Sequence, residues 1–484
     1  MKKIVYAALF CSILFSCTEK KEYVEIYTTT ADKEKTMQKD SVAFSAKSDT
    51  KATDNIITLY PEEKYQEMDG FGAAITGSSC YNLLKMTAED RTTLLKETFD
   101  PVNGYGYSYI RISLGASDFS LDEYTYCDKP GIENFAMHEY DKRDLFPILK
   151  EIKAINPDVK IMASPWSCPK WMKVNNLQEL KPFDSWTSGQ LNPKYYQDYA
   201  AYFVKYIQAM EAEGFKIDAV TIQNEPLNRG NSMSLYMTWQ EQRDFVKSAL
   251  GPAFEKAGIK TKILVYDHNY NYDEDKAENF DQKQYPLKIY EDSDAAKYID
   301  GAAFHAYGGD KEELLKIHNS RPDKNLYFTE MSIGLWGEGY SFAKDLMWNM
   351  REVCIGTINN YNKAVIMWNY MLDDKHGPDR PDGCDICLGC ITIDSNDYKT
   401  TDKNSHYYTM AHLSKVIKPG SHRIKSEGQT VEGIYYSAFE NPDKTYSIVL
   451  LNDTPAQHTV TVQLGNKSFS YNVPASSVIS CIWK

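Results

Sequence analysis

Between residues 69 and 417 short apolar runs alternate with longer amphipathic stretches. Eight runs have the length and β-branched or aromatic content of buried strands: "DGFGAAIT" (69–76), "YSYIRISLG" (107–115), "VKIMASPW" (159–166), "DAVTIQNEP" (218–226), "TKILVYDH" (261–268), "IDGAAFHAY" (299–307), "NLYFTEMS" (325–332) and "AVIMWNYML" (364–372). Helical spacing fills the gaps at 83–97, 142–155, 193–213, 238–257, 341–360 and 405–417. "YYQDYAAYFVKYIQAMEAEG" shows the 3.6-residue period most plainly, and its closing Gly214 is a stop signal. Eight strands alternating with helices predict an α/β fold, a (β/α)8 TIM barrel over 69–417. A doubly wound open sheet is the rival, but "DGFGAA" is too short for its phosphate loop and lacks the third glycine.

After Pro419 the period changes to two. "VEGIYYSAFE", "TYSIVLLND", "HTVTVQLG", "SFSYNVP" and "SSVISCIWK" are short strand patterns separated by turn signals, which predicts a side β-sandwich over 418–484. "NIITLYP" (55–61) has the same character, so 55–68 is expected to add an N-terminal strand to it. Residues 18–54 are rich in Lys, Glu, Asp, Thr and Ser and read as a flexible tether. Before them, Met1-Lys2-Lys3, the apolar Ile4–Phe15 and Leu14-Phe15-Ser16-Cys17 resemble a bacterial lipoprotein signal peptide, cleaved before Cys17 with lipid on its thiol. Phe15 is an unusual lipobox residue, so a plain secretory signal is the alternative. Lipidation implies an exported protein anchored to the outer membrane, on its periplasmic or cell-surface face.

Charge narrows the partners. A net charge of −13 argues against nucleic acid, an anionic membrane surface or a polyanionic substrate, and favours a neutral one. The 36 Tyr and 8 Trp supply flat apolar faces rimmed with hydrogen-bonding groups, which suit sugar rings. Among ten cysteines the one cluster is "GCDICLGC" (383–390). It has no His and no fourth ligand at suitable spacing, which leaves a loop-stapling disulfide ahead of free thiols and of metal.

The active site of such a barrel forms at the C-terminal ends of its strands. There strand two carries Arg111, followed by Asp118; strand three gives Trp166; strand four Asn224 and Glu225; strand five Asp267 and His268; strand six His305 and Tyr307; strand seven Glu330; strand eight Trp368 and Asn369. Two glutamates thus face one another across an aromatic pocket. Glycosidic cleavage needs such a pair, one protonated to donate to the leaving oxygen and one ionised to attack the anomeric carbon. Arg111, with Tyr307, is placed to keep Glu330 ionised. Asn224 is placed for the sugar's 2-hydroxyl. For either glutamate alone a barrel-rim salt bridge explains the residue as well; the pair with its surroundings favours catalysis. Two carboxylates and water complete the reaction, so no metal or organic cofactor is expected, and His268 and His305 read as hydrogen-bonding neighbours of the pocket.

"YQEMDGFGAAIT", "IRISLGASDFSLDEYTYCD", "MASPWSCPKWMK", "QNEP", "FHAY", "YFTEMS" and "HLSKVIKPGSHRI", in that order, resemble glycoside hydrolase family 30, the retaining β-glycosidases that include glucosylceramidase, β-1,6-glucanases and β-xylanases. The resemblance implies a barrel with a side β-sandwich built from both chain ends. It implies Glu225 as acid/base and Glu330 as nucleophile, with carboxyl groups roughly 5–5.5 Å apart. It further implies that Asp118, Trp166, Asn224, Tyr307 and Trp368 line the subsite holding the non-reducing sugar; His305 is expected beside them among the substrate-binding residues, with Arg111 in support. One departure is "LDDKHGPDRPDGCDICLGCITID", where relatives often carry a Gly-Gly-Pro-Asn-like loop after the strand-eight tryptophan. The substrate expected is a neutral β-glucan, with endo-β-1,6-glucanase activity foremost. The alternatives are a glucosylceramidase-type enzyme, an exo-acting β-glucosidase, a β-xylosidase or β-fucosidase and, from a different class, a non-catalytic glycan-binding surface lipoprotein.

Overall fold

A computed structural model describes residues 22–46, 55–270, 281–381 and 383–484. A strand falls on each of the eight apolar runs. They are Gly70–Ala73, Tyr109–Ser113, Lys160–Ser164, Ala219–Thr221, Lys262–Asn269, Ile299–His305, Asn325–Glu330 and Asn362–Met367, numbered here as barrel strands one to eight. All neighbours are parallel, strand eight pairs with strand one, and an Ala74–Arg111 bridge joins strand one to strand two. The ring is therefore a TIM barrel. Its interior is filled by inward-facing side chains of the strands. At the N-terminal mouth Asp69, just before strand one, accepts hydrogen bonds from Lys160 of strand three (2.8 Å), Lys262 of strand five (3.0 Å) and Tyr327 of strand seven (3.2 Å). Tyr327 shares a fully buried cluster with Met162, Leu264, Ala303 and Ile366.

Several helical stretches differ from their patterns. The single run expected at 83–97 is two helices, Gly77–Lys85 and Ala88–Phe99, because Thr87 turns out of the helix and caps the second by accepting from the Asp90 amide at 3.1 Å. Glu312–Ser320 is a helix outside the expected set; its apolar face is narrow, with Leu314 and Ile317 buried. Gly214 ends the Tyr196–Ala212 helix with φ at +92°, a conformation that suits glycine.

The side domain is a ten-stranded sheet folded into a sandwich around Ile57, Leu59, Ile448, Leu450, Phe469 and Trp483. Asn55–Glu67 lies in it, antiparallel to His422–Gln429 and parallel to His458–Leu464. The tether expected over 18–54 is overturned where the chain is described. Tyr23–Thr30 is a strand between Gln38–Ala43 and the final strand Ser477–Trp483, with Glu25 opposite Ile482. Polar composition hid its alternation: Val24 and Ile26 belong to the sandwich core, and Thr28 and Thr29 are buried as well. The signal segment 1–17 with Cys17, and residues 47–54, lie outside the described residues. His412, on the barrel helix Ser405–Val416, is hydrogen-bonded at 2.8 Å to Ser480 of the last strand and at 2.8 Å to Thr29 of the first. One side chain thus ties the barrel to both chain ends.

Candidate active site

The functional side chains sit at the strand ends or in the turns that leave the barrel. Strand four ends at Thr221, and Glu225 follows with its backbone in the left-handed region (φ +45°), held by its amide to the Asp267 carbonyl at 2.9 Å. Such backbone conformations cluster at functional sites. Strand five bulges between Tyr266 and His268, which gives both Tyr266 and Asp267 positive φ and buries the Asp267 carboxylate in the barrel mouth. Glu330 closes strand seven, His305 closes strand six, and Trp368 follows strand eight.

Arg111 is fully buried at the centre of this group. It donates to Glu330 Oε2 at 2.5 Å, Asn224 Oδ1 at 2.7 Å, Asp267 Oδ2 at 2.9 Å and Ser164 Oγ at 3.1 Å. Its guanidinium lies 4.9 Å from the Trp166 ring centroid and 5.5 Å from that of Trp368, and the two indoles stack at 5.1 Å. Tyr307 Oη donates to the other Glu330 oxygen at 3.0 Å, and Asn228 Nδ2 donates to Glu225 Oε2 at 2.8 Å. His305 is hydrogen-bonded through Nε2 to Asp267 Oδ1 (3.1 Å) and through Nδ1 to Glu225 Oε1 (3.3 Å), with Glu330 Oε1 at 3.7 Å. Thr221 and Thr329 donate to the two Asp267 oxygens at 2.6 and 2.7 Å. One oxygen of Glu225 and one of Glu330 lie within 4.8 Å of each other. Carboxyl groups this near one another favour the retaining arrangement, about 5–5.5 Å apart, over the wider spacing of an inverting pair.

Above the pair opens a cleft of about 540 Å³, lined by Asp118, Glu225, His268, Tyr307, Glu330 and Trp368 and, toward its rim, by Asn231, Trp336, Cys384 and Cys387. The profile of the glycosyl hydrolase family 30 TIM-barrel domain matches residues 68–417, and that of the family 30 beta sandwich domain matches 420–481. The chain belongs to glycoside hydrolase family 30. The endo-1,6-beta-D-glucanase BGN16.3 of Trichoderma harzianum is 31% identical over 444 residues, covering 86% of this chain and 84% of the relative. The lysosomal acid glucosylceramidase of Mus musculus is 27% identical over 457 residues, covering 89% and 83%. A solved structure of the endo-beta1,6-glucanase BT3312 superposes with a TM-score of 0.91 at 57% identity, covering 95% of this chain and 99% of that one. This chain is accordingly a glycoside hydrolase of a retaining family, and its substrate is a carbohydrate.

The electrostatics of this family 30 site depart from the simplest expectation for an acid/base pair. Burial pushes the Glu225 carboxyl up, but the hydrogen bond from His305 and the imidazoles of His268 and His305 outweigh it and hold it at about 2. Burial pushes the His305 imidazole down, yet the Glu330 charge and the bonds to Asp267 and Glu225 raise it to about 9. His305 thus stands one hydrogen bond behind Glu225, with its basicity raised by the carboxylates around it. Burial, then the nearby charges of Glu330 and Glu225, push Asp118 well above the usual carboxylate range. Among the described residues its buried Oδ1 has no hydrogen-bond partner, and since Asp118 lines the cleft this is a polar atom that a sugar hydroxyl can satisfy.

Of the residues marked for substrate, Asp118, Tyr307 and Trp368 reach the cleft wall. Trp166 lies just behind, stacked on Trp368. Asn224 is turned toward Arg111. His305 lies behind the pair, its ring fully enclosed and held on one side by Asp267 and on the other by Glu225. Asn228 and Trp336 are outside the expected set, and Asp267 is placed by the sequence at the end of strand five without a role. Asn228 has a signal in its place three residues after Glu225; the part Asp267 plays needs the strand-five bulge to become visible. Glu225, His305 and Glu330 are also close enough to chelate an ion. Asp267 already holds the other nitrogen of His305, however, and Arg111 neutralises Glu330, so the donor set suits proton transfer. The cysteine cluster resolves as a Cys384–Cys387 disulfide, with Cys390 a buried free thiol.

Proposed function

We propose that this chain is an endo-acting β-1,6-glucanase working by double displacement, with Glu225 and Glu330 as its two catalytic carboxylates. The observation that carries the proposal is the pair itself, with carboxylate oxygens within 4.8 Å at the floor of an aromatic cleft. The 57% identity to an endo-beta1,6-glucanase supports the linkage.

In this reading Glu330, held ionised by Arg111 and Tyr307, attacks the anomeric carbon. As the glycosidic C–O bond breaks, Glu225 relays a proton from His305 Nδ1 to the leaving oxygen. The glycosyl ester on Glu330 removes the negative charge that most raises His305, so the imidazole gives up its proton at this point. Glu225, now a carboxylate, then takes a proton from water as the water's oxygen attacks the same carbon. The ester breaks, Glu330 leaves as carboxylate, and the proton returns to His305. The sugar departs with its original configuration. Asp118, Trp166, Tyr307 and Trp368 hold the glycone, and Asn224 orients Arg111.

Product analysis on linear β-1,6-glucan tests this. Wild type is expected to give a ladder of gluco-oligosaccharides. Glu225→Gln is expected to slow it by about 10²–10⁴-fold, the usual span for a general acid/base, and Glu330→Gln to abolish it. Release from a short aryl β-glucoside without attack on the polymer would overturn the substrate and keep the mechanism. Undiminished turnover in Glu330→Gln would overturn the mechanism.

The Met1–Cys17 pattern supports a second reading, a lipid anchor at Cys17 in the outer membrane. Among the described residues no helix is long and apolar enough to cross a membrane. Cys17→Ala is expected to move the protein from the membrane fraction to the soluble one; retention in the membrane fraction would sink the anchor.

A further inference from the structure

At the rim of the cleft the turn after strand seven and the loop after strand eight are joined. Ile333 and Gly334 pair antiparallel with Leu388 and Cys387, and the Leu335 amide donates to the Ile386 carbonyl at 2.9 Å. The Cys384–Cys387 disulfide closes the second strand's approach, and both cysteines line the cleft. Trp336 stands on this ladder. A Cβ on Gly334 would collide with the six-membered ring of Trp336 and with the Ile386 carbonyl, so the indole lies directly against the glycine backbone. Its remaining surface is open: Trp336 is 41% exposed, and it lines the same cleft as Glu225 and Glu330. An indole pressed on one side and solvated on the other is a pre-oriented apolar face, since little side-chain freedom is left to lose on stacking.

Resting on the reading of this cleft as a β-1,6-glucanase site, we propose that Trp336, seated on Gly334 and backed by the Cys384–Cys387 loop, is the stacking platform for the glucosyl unit on the leaving-group side of the scissile bond. The buried part of the cleft is already taken by Asp118 and the Trp166–Trp368 stack, which leaves the open rim for the departing part of the chain. The platform favours an extended saccharide over a small leaving group, and the disulfide limits how far the ladder can move.

The test compares two substrates. β-Glucosyl fluoride places no sugar over Trp336, whereas a β-1,6-linked gluco-oligosaccharide does. Trp336→Ala is expected to lose about tenfold more in kcat/KM on the oligosaccharide than on the fluoride, the scale of one aromatic contact, and Trp336→Phe to recover most of that difference. Gly334→Ala, which displaces the indole without removing it, and Cys384→Ser combined with Cys387→Ser are expected to raise KM for the oligosaccharide in the same selective way. Wild type that cleaves the fluoride but no β-1,6-linked oligosaccharide overturns the functional reading and the occupant of the platform with it. Wild type that cleaves both, with Trp336→Ala losing equally on both or on neither, overturns the platform alone. Selective loss in Trp336→Ala with unchanged kinetics in the double cysteine variant overturns the part assigned to the disulfide.

Discussion

The proton shared by His305 and Glu225 sets how the cleft responds to pH. With His305 raised to about 9 and Glu225 held at about 2, the pair keeps one proton through neutrality and loses it as pH rises. The alkaline limb of kcat/KM is therefore expected to follow that macroscopic loss. His305→Asn removes the store, and Glu225 must then hold the proton itself. Its alkaline limb is expected to move toward acid by about one pH unit or more; a pH–rate profile that coincides with wild type would show that His305 holds no catalytic proton. At this scale the sequence was informative about the pair and less so about what serves it. Glu225 stood out between an amide and a proline, and Glu330 at the end of a strand pattern. The Asp267–His305 link depends on a bulge and on burial, neither of which leaves a mark on hydrophobic spacing.

The polar plug at the N-terminal mouth shows how elements are fastened to one another. Burial pushes Asp69 up, but Lys160, Lys262 and Lys363 outweigh it and hold its carboxyl at about 2. A depressed carboxyl contributes stability that is present above the unfolded value near 4 and is lost as pH falls toward 2. Asp69→Asn is expected to cost roughly 2 kcal/mol at neutral pH, measured by denaturant unfolding, with the difference from wild type shrinking between about pH 4 and pH 2. A difference that persists at pH 2 would assign the effect to packing. Strand periodicity exposed all eight barrel strands because each is apolar over most of its length. The first sandwich strand escaped for the opposite reason: its buried positions mix Val and Ile with threonines, and composition read that as solvent-loving.

Across the whole molecule, buried histidines oppose one another in their response to pH. Burial takes His406 and His412 down to about 3. Their contribution is present above the unfolded value near 6.5 and is lost as pH falls from there. His305, raised to about 9, contributes fully below about 6.5 and loses that contribution as pH rises toward 9. Thermal stability is thus expected to peak near neutrality, and His412→Gln to flatten the acid side; an unchanged acid slope would remove His412 from the account. The sandwich that His412 helps to anchor also has a consequence for synthesis. Its first strand pairs with its last across about 450 residues, so at roughly 5–20 residues per second the ribosome needs on the order of half a minute or more to deliver the partner. Until then Val24 and Ile26 have no completed sheet to enter, and a nascent chain released early would offer that unfinished edge to strands of other chains.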